Sequence, residues 1–222
     1  MILAIDSSTQ WVGIAIFDGN LIRYEKIWKT SRRHTVELSP AIATAFTESE
    51  TSPDNLTAVS IAVGPGSFTS LRIGLAVAKG FALAQHIPIV AVPSLDILAN
   101  AIPAEDKPLI CTLRAGRGRL AAQAYRNEHN QWISEGGPFV TTAEELESAI
   151  IEPTIICGEL DPEEKQIIAR RWRNALIADP PYNMRRPSVL AYLAVKKLEA
   201  GEISASASIA PIYLRTVKNV DH

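Results

Sequence analysis

The residues with the strongest claim to chemistry are Gly64-Pro65-Gly66-Ser67-Phe68-Thr69-Ser70-Leu71-Arg72-Ile73-Gly74. A β-rich run, Leu56 to Val63, feeds two glycines that permit a tight turn, and Ser67 stands where it could cap the helix that follows. The free amides of such a helix start attract anions, which makes Gly64, Gly66 and Ser67 candidates for a phosphate-facing loop. The segment is neither a Walker loop nor a GxGxxG fingerprint, and a plain strand-to-helix corner accounts for it equally well. A second candidate loop is Asp6-Ser7-Ser8-Thr9, where one carboxylate and three hydroxyls could support a magnesium-nucleotide. Such side chains also routinely bond the backbone of their own turn.

Arg114-Ala115-Gly116-Arg117-Gly118-Arg119 places three arginines on a Gly-rich turn, which suits phosphate or RNA, but also an ordinary solvated hairpin. The four histidines, His34, His86, His129 and His222, include no pair four residues apart, so the helical metal pair of a metalloenzyme is missing. No GxSxG elbow occurs. Cys111 and Cys157 lie in apolar, strand-like runs without CxxC spacing, which fits reduced thiols rather than a zinc knuckle or a disulfide framework.

These loops need a scaffold, and the periodicities supply one. Ile2 to Ile5, Trp11 to Phe17 and Leu21 to Trp28 read as a three-stranded meander, the second turn carrying an Asp-Gly step. A helix over Thr35 to Ser49, a strand over Leu56 to Val63, a helix over Ser67 to Gln85, a strand over Ile89 to Val92 and a helix over Leu95 to Ala101 capped by Ser94 follow. The order βββαβαβα is that of an α/β, actin-like, ribonuclease H-like lobe, a reading by analogy of element order.

Ile102 to Pro108, with two prolines and three charges, predicts a junction between an N-terminal lobe (1–102) and a C-terminal lobe (103–222), whose extreme C-terminus could pack back on the first. The second half reads as strands at Leu109 to Leu113, Leu120 to Arg126 and Gln131 to Ser134, a helix from Thr142 to Ile150, and a strand from Thr154 to Cys157. Helices over Asp161 to Trp172 and Ser188 to Ala200 complete it. The Ser204 to Ser208 alternation with alanine is too short to be a low-complexity tract.

Composition excludes several classes. The 222 residues are 47% hydrophobic, and 22 basic against 24 acidic residues give a net charge of -2, unlike a protein that wraps nucleic acid by charge alone. The N-terminal run lacks the basic start and cleavage site of a signal, and the apolar stretch from Ile73 to Ala84 is short and broken by Lys79, so a cytoplasmic protein with no membrane partner is expected. The Ser67 to Gln85 helix carries only Arg72 and Lys79 as charges, and its apolar residues spread around the whole circumference, which predicts burial on more than one side.

Four segments together, ILAIDSST, AVGPGSFTSLRIGLAVAKGFA, VPSLDILA and PIYLR, resemble the TsaB (YeaZ) family. The resemblance implies a two-lobed actin-like fold without working ATPase machinery and with no cofactor of its own, any ATP lying at a complex interface. It implies a non-catalytic subunit that supports the catalytic subunit TsaD, joined by TsaE, in moving threonylcarbamoyl onto a tRNA adenosine beside the anticodon. The tRNA itself is then contacted indirectly, and the chain forms a homodimer when TsaD is absent. Carried onto this sequence, the docking surface includes His34, Leu38, Ile42, Phe68, Leu71, Arg72, Leu75, Ala78, Lys79 and Ala82, with Leu71, Leu75, Ala78 and Ala82 as one seam. Family members resemble Asp-Ala-Arg-Arg-Gly-Glu-Val-Tyr where this chain has Arg114 to Ala121, so two acids have become arginines. The competing function is a small-molecule kinase or ATPase of the same superfamily using Asp6 and the Gly64 loop. A peptidase is a third, weakened by the missing metal pair and nucleophile.

Overall fold

The computed structural model describes every residue except 32, 117, 172, 203–207 and 215–222. Arg117 of the basic turn, most of the Ser204 to Ser208 alternation, Arg215 of the PIYLR motif and His222 therefore lie outside the described residues.

The first sheet has strand order β3-β2-β1-β4-β5, from β1 (Ile2–Asp6), β2 (Trp11–Phe17), β3 (Ile22–Lys29), β4 (Ala58–Ala62) and β5 (Ile89–Val92). β1 pairs antiparallel with β2 and parallel with β4. It is buried on both faces, which is why it reads as a continuous apolar run instead of alternating. Leu3 and Ile5 meet α1 (His34–Glu48) and α2 (Phe68–Gln85) on one face. Ile2 and Ala4 meet Leu190, Ala191 and Ala194 of α6 (Pro187–Glu199) on the other. The last helix among the described residues thus roofs the first sheet rather than completing the second half, where sequence order alone puts it.

The second sheet has order β10-β9-β6-β7-β8, from β6 (Leu109–Gly116), β7 (Arg119–Glu128), β8 (Gln131–Thr141), β9 (Thr154–Gly158) and β10 (Ala175–Ile177). Its outer face is covered by α4 (Ala143–Ala149) and α5 (Pro162–Ile168), both opened by capping boxes, Thr142 with Glu145 and Asp161 with Glu164. Its inner face packs on α3 (Ser94–Ala99), which sends Leu95 and Leu98 to the second sheet and Ile97 to the first.

The differences from the sequence reading have local causes. β8 runs to Thr141 through Gly136, Gly137 and Pro138, residues tolerated because it is an edge strand. Gln123, at the register shift opposite, donates its side-chain amide to the Glu135 carbonyl and so keeps the pairing closed. The expected long helix from Asp161 ends at Ile168 and continues as a 3-10 turn over Ala169–Arg171. β10 and a 3-10 turn at Pro180–Asn183 were not foreseen, being too short to show a period. No helix among the described residues is long and apolar enough to cross a membrane.

Candidate functional site

The two candidate loops meet where the sheets face each other, and their side-chain polar groups are held by other parts of the chain. β1 delivers Asp6 at its end, 2% exposed. Its Oδ1 accepts the Ser8 N–H at 2.9 Å and its Oδ2 accepts Nε of Arg185 at 2.6 Å. Arg185, on the approach to α6, is 5% exposed, and it also donates to Glu159 Oε1 (2.6 Å), Thr9 Oγ1 (2.9 Å) and the Trp11 carbonyl (3.0 Å). Thr9 Oγ1 closes the ring with its own bond to Glu159 at 2.6 Å. Burial alone would lower the Arg185 pKa; the Asp6 and Glu159 charges outweigh it and hold the guanidinium above its ordinary value. The carboxylate read as a magnesium-nucleotide ligand is therefore neutralised from within, by a residue 179 positions away.

The neighbouring serines are equally engaged. Ser7 Oγ donates to the Ser70 carbonyl at 2.8 Å, and Ser8 Oγ lies 2.6 Å from Ser94 Oγ. Ser94 also accepts the Gly64 N–H at 3.0 Å. Ser94 is thus the first residue of α3 and a tie between loops, not its cap; Pro93 stands at the cap position. Ser67 stands at the N-cap of α2, but its side chain makes no capping bond; its N–H donates to the Ser8 carbonyl at 2.6 Å. Gly66 is required by this approach, because a Cβ there would lie 2.2 Å from Ser8 O.

Gly74, inside α2, has the same logic: its Cβ would sit 2.1 Å from Ser7 Oγ. Gly74→Ala is expected to cost about 1–3 kcal/mol of stability by overpacking. Adding Ser7→Ala should restore part of it, since the obstructing atom is that hydroxyl; urea unfolding of the single and double variants checks this.

The docking residues divide. Leu38, Ile42, Leu75, Ala78 and Ala82 are buried in the chain's own core against the first sheet, and His34 and Leu71 are buried beside the cleft loops. This corrects the expected seam, since a face already packed inside the chain has no surface left to offer. His34 Nε2 donates to the Thr9 carbonyl at 3.0 Å. The outer side of α2 shows Phe68, Arg72, Ala76 and Leu83 exposed, with Lys79 half-buried. Circumferential apolarity thus resolves into a packed inner stripe and an uncovered outer one.

Arg114 sits in the β6–β7 hairpin with its guanidinium bonded to Asp161 and Glu164, each at 2.7 Å. Among the described residues no group of three or more metal-ligating side chains converges. Cys111 and Cys157 are fully buried with sulfurs 3.4 Å apart, and burial pushes the Cys111 thiol up, away from the reactive thiolate.

A second clasp joins the lobes where Tyr125 Oη donates to Asp96 Oδ1 at 2.7 Å. Burial raises the Asp96 carboxyl above its ordinary 3.8, an effect that Tyr125 and Lys197 only partly offset. An acid with a raised folded pKa holds its proton more tightly when folded, so its contribution is most favourable below the unfolded value and declines as pH rises through the folded one. Asp96→Asn keeps an acceptor for Tyr125 and removes that decline. The variant should gain on the parent as pH rises from about 4 to about 8, read as the difference in urea midpoints.

Two five-stranded mixed sheets with helices outside and a cleft between them define a two-lobed, actin-like α/β protein. YeaZ from Pseudomonas aeruginosa superposes with a TM-score of 0.80 at 22% identity, covering 96% of this chain and 99% of that one. The ethanolamine utilization protein EutJ of Carboxydothermus hydrogenoformans superposes at 0.51 with 11% identity, over 85% and 88% of the two chains. A family model described as TsaD, tRNA N6-adenosine threonylcarbamoyltransferase, matches residues 28–169. The tRNA threonylcarbamoyladenosine biosynthesis protein TsaB of Bacillus subtilis is 29% identical over 96% of this chain and 93% of its own. That of Buchnera aphidicola is 30% identical over 70% and 69%. The chain belongs to the TsaB (YeaZ) family.

Arg185, Glu159 and Ser94 as a bridging side chain were missed by sequence reasoning. Met184-Arg185-Arg186-Pro187 carries no local pattern naming a partner at the other end of the chain.

Proposed function

We propose that this chain works in tRNA threonylcarbamoyladenosine biosynthesis as a non-catalytic subunit. It docks on the TsaD-type catalytic subunit and, with TsaE, supports transfer of threonylcarbamoyl to the tRNA adenosine next to the anticodon. The observation that carries this reading is the internal neutralisation of Asp6 by Arg185, which leaves the loop without a free carboxylate for a metal-bound phosphate. Family membership and the uncovered outer stripe of α2 beyond Arg72, where Ala76 and Leu83 are exposed, supply the rest. In this reading the chain has no cofactor of its own, any ATP lies at a subunit interface, and the same stripe covers itself in a homodimer when the partner is missing. A cytoplasmic setting follows from the tRNA substrate.

The test is co-expression with the TsaD-type subunit, followed by co-purification and ATP turnover of the isolated chain. A stable complex and no turnover by the chain alone are expected. Turnover that Asp6→Asn abolishes would instead establish the kinase or ATPase reading.

A further inference from the structure

We propose that the mouth of the interlobe cleft is a contact for a single-stranded RNA segment, so that this subunit touches the nucleic acid itself. The proposal rests on the tRNA-modification reading and adds a direct contact to it.

The cleft has a volume of about 860 Å³ and walls from both lobes. At its mouth Phe68 and Tyr213 are 52% and 43% exposed, their centroids 4.9 Å apart and the planes inclined by 33°. The Arg72 guanidinium carbon lies 4.2 Å from the Phe68 centroid, so a cation and two rings gather at one spot. Two large rings left this wet contribute little to the core, yet they are held together in a fixed array. The backbone supports the array: the Ile212 N–H donates to the Val63 carbonyl at 2.7 Å and so seats Tyr213 beside α2.

The charge of the walls points the same way. Among the described lining residues Arg114 and Arg119 are cationic and none is a carboxylate, although the whole chain carries -2. Asp161 and Glu164 bond Arg114 but do not line the cleft, and about a third of the Arg114 side chain stays accessible. Flat aromatic faces beside guanidinium groups match a strand that presents bases and phosphodiesters at short intervals. A free nucleoside triphosphate is a poorer match, because its magnesium needs oxygen ligands and Asp6 is held by Arg185. An acidic peptide would use the charges and leave the rings idle.

The experiment is fluorescence anisotropy of a labelled anticodon stem-loop RNA with the full chain, alone and bound to the TsaD-type subunit. Tyr213→Ala should weaken binding roughly 10-fold through lost stacking, while Tyr213→Phe keeps it. Arg119→Gln should lower the salt dependence by about one phosphate contact. Thiouridine placed in the loop should photo-crosslink to the peptide that holds Tyr213. Equal RNA affinity of the parent and Tyr213→Ala, or displacement of the RNA by polyglutamate or by magnesium-ATP as readily as by unlabelled RNA, would overturn the proposal. Co-purification is scored separately. Tyr213→Ala that still binds its protein partner but loses RNA supports the contact, whereas a parent chain that binds RNA and no TsaD-type partner defeats the subunit reading alone.

Discussion

Arg185→Met is expected to destabilise the chain by about 3–5 kcal/mol, the largest effect of any single substitution outside the apolar core. The reason is asymmetry. The guanidinium is shared between two carboxylates that are nearly dry, Asp6 at 2% and Glu159 at 8% side-chain exposure, and it supplies four hydrogen bonds. Methionine fills similar volume but leaves both charges buried and unpaired, the costly half of breaking an internal ion pair. Glu159 has no slack, since its Oε2 is already buried without a partner. A loss of that size should lower the melting temperature by roughly 6–20 °C for a chain of this length. Adding Asp6→Asn and Glu159→Gln should recover much of it, because neutral amides do not need the cation. Thermal and urea unfolding of the single and triple variants measure this, and a single variant within about 1 kcal/mol of the parent would show that water reaches the ring.

The second large effect belongs to the outer stripe of α2. Leu83→Glu, at a side chain 78% exposed, should leave stability within about 0.5 kcal/mol of the parent. In a docked surface the same charge should weaken association with the TsaD-type subunit by about 30-fold or more, the scale of an interface hot spot. Leu75→Glu serves as the contrast. Leu75 is buried against Ala78 and the first sheet, so a charge there unfolds the lobe, and any lost association follows from lost structure. Titration by calorimetry beside a melting curve separates the two, and an unchanged affinity for Leu83→Glu would remove this stripe from the interface.

Much of this architecture was legible from residue order. The meander, the two long helices of the first half, and the strands that open the second are each announced by period, turn chemistry or caps, such as Thr142 with Glu145. What escaped depends on tertiary contact. Nothing in Ser188 to Ala200 says which sheet its apolar face will roof, and the periodicity of α2 marked it as apolar without showing which residues face inward. The loops were found as loops, but their state was invisible. Asp6 reads the same whether it faces a phosphate or a guanidinium, and only the fold brings Arg185 to it. Serine before a helix usually caps it, but here the neighbouring loops claim the Ser94 hydroxyl first.

The roofing of the first sheet by α6 bears on how the protein can be made. Ile2, Ala4, Ala15 and Val90 wait for Leu190, Ala191 and Ala194, which are synthesised only after the whole second sheet. A ribosome that has delivered the first hundred residues has therefore produced a sheet with one greasy side bare, and the nascent lobe must be shielded or wait. Residues 1–102 expressed alone would leave that side bare for good.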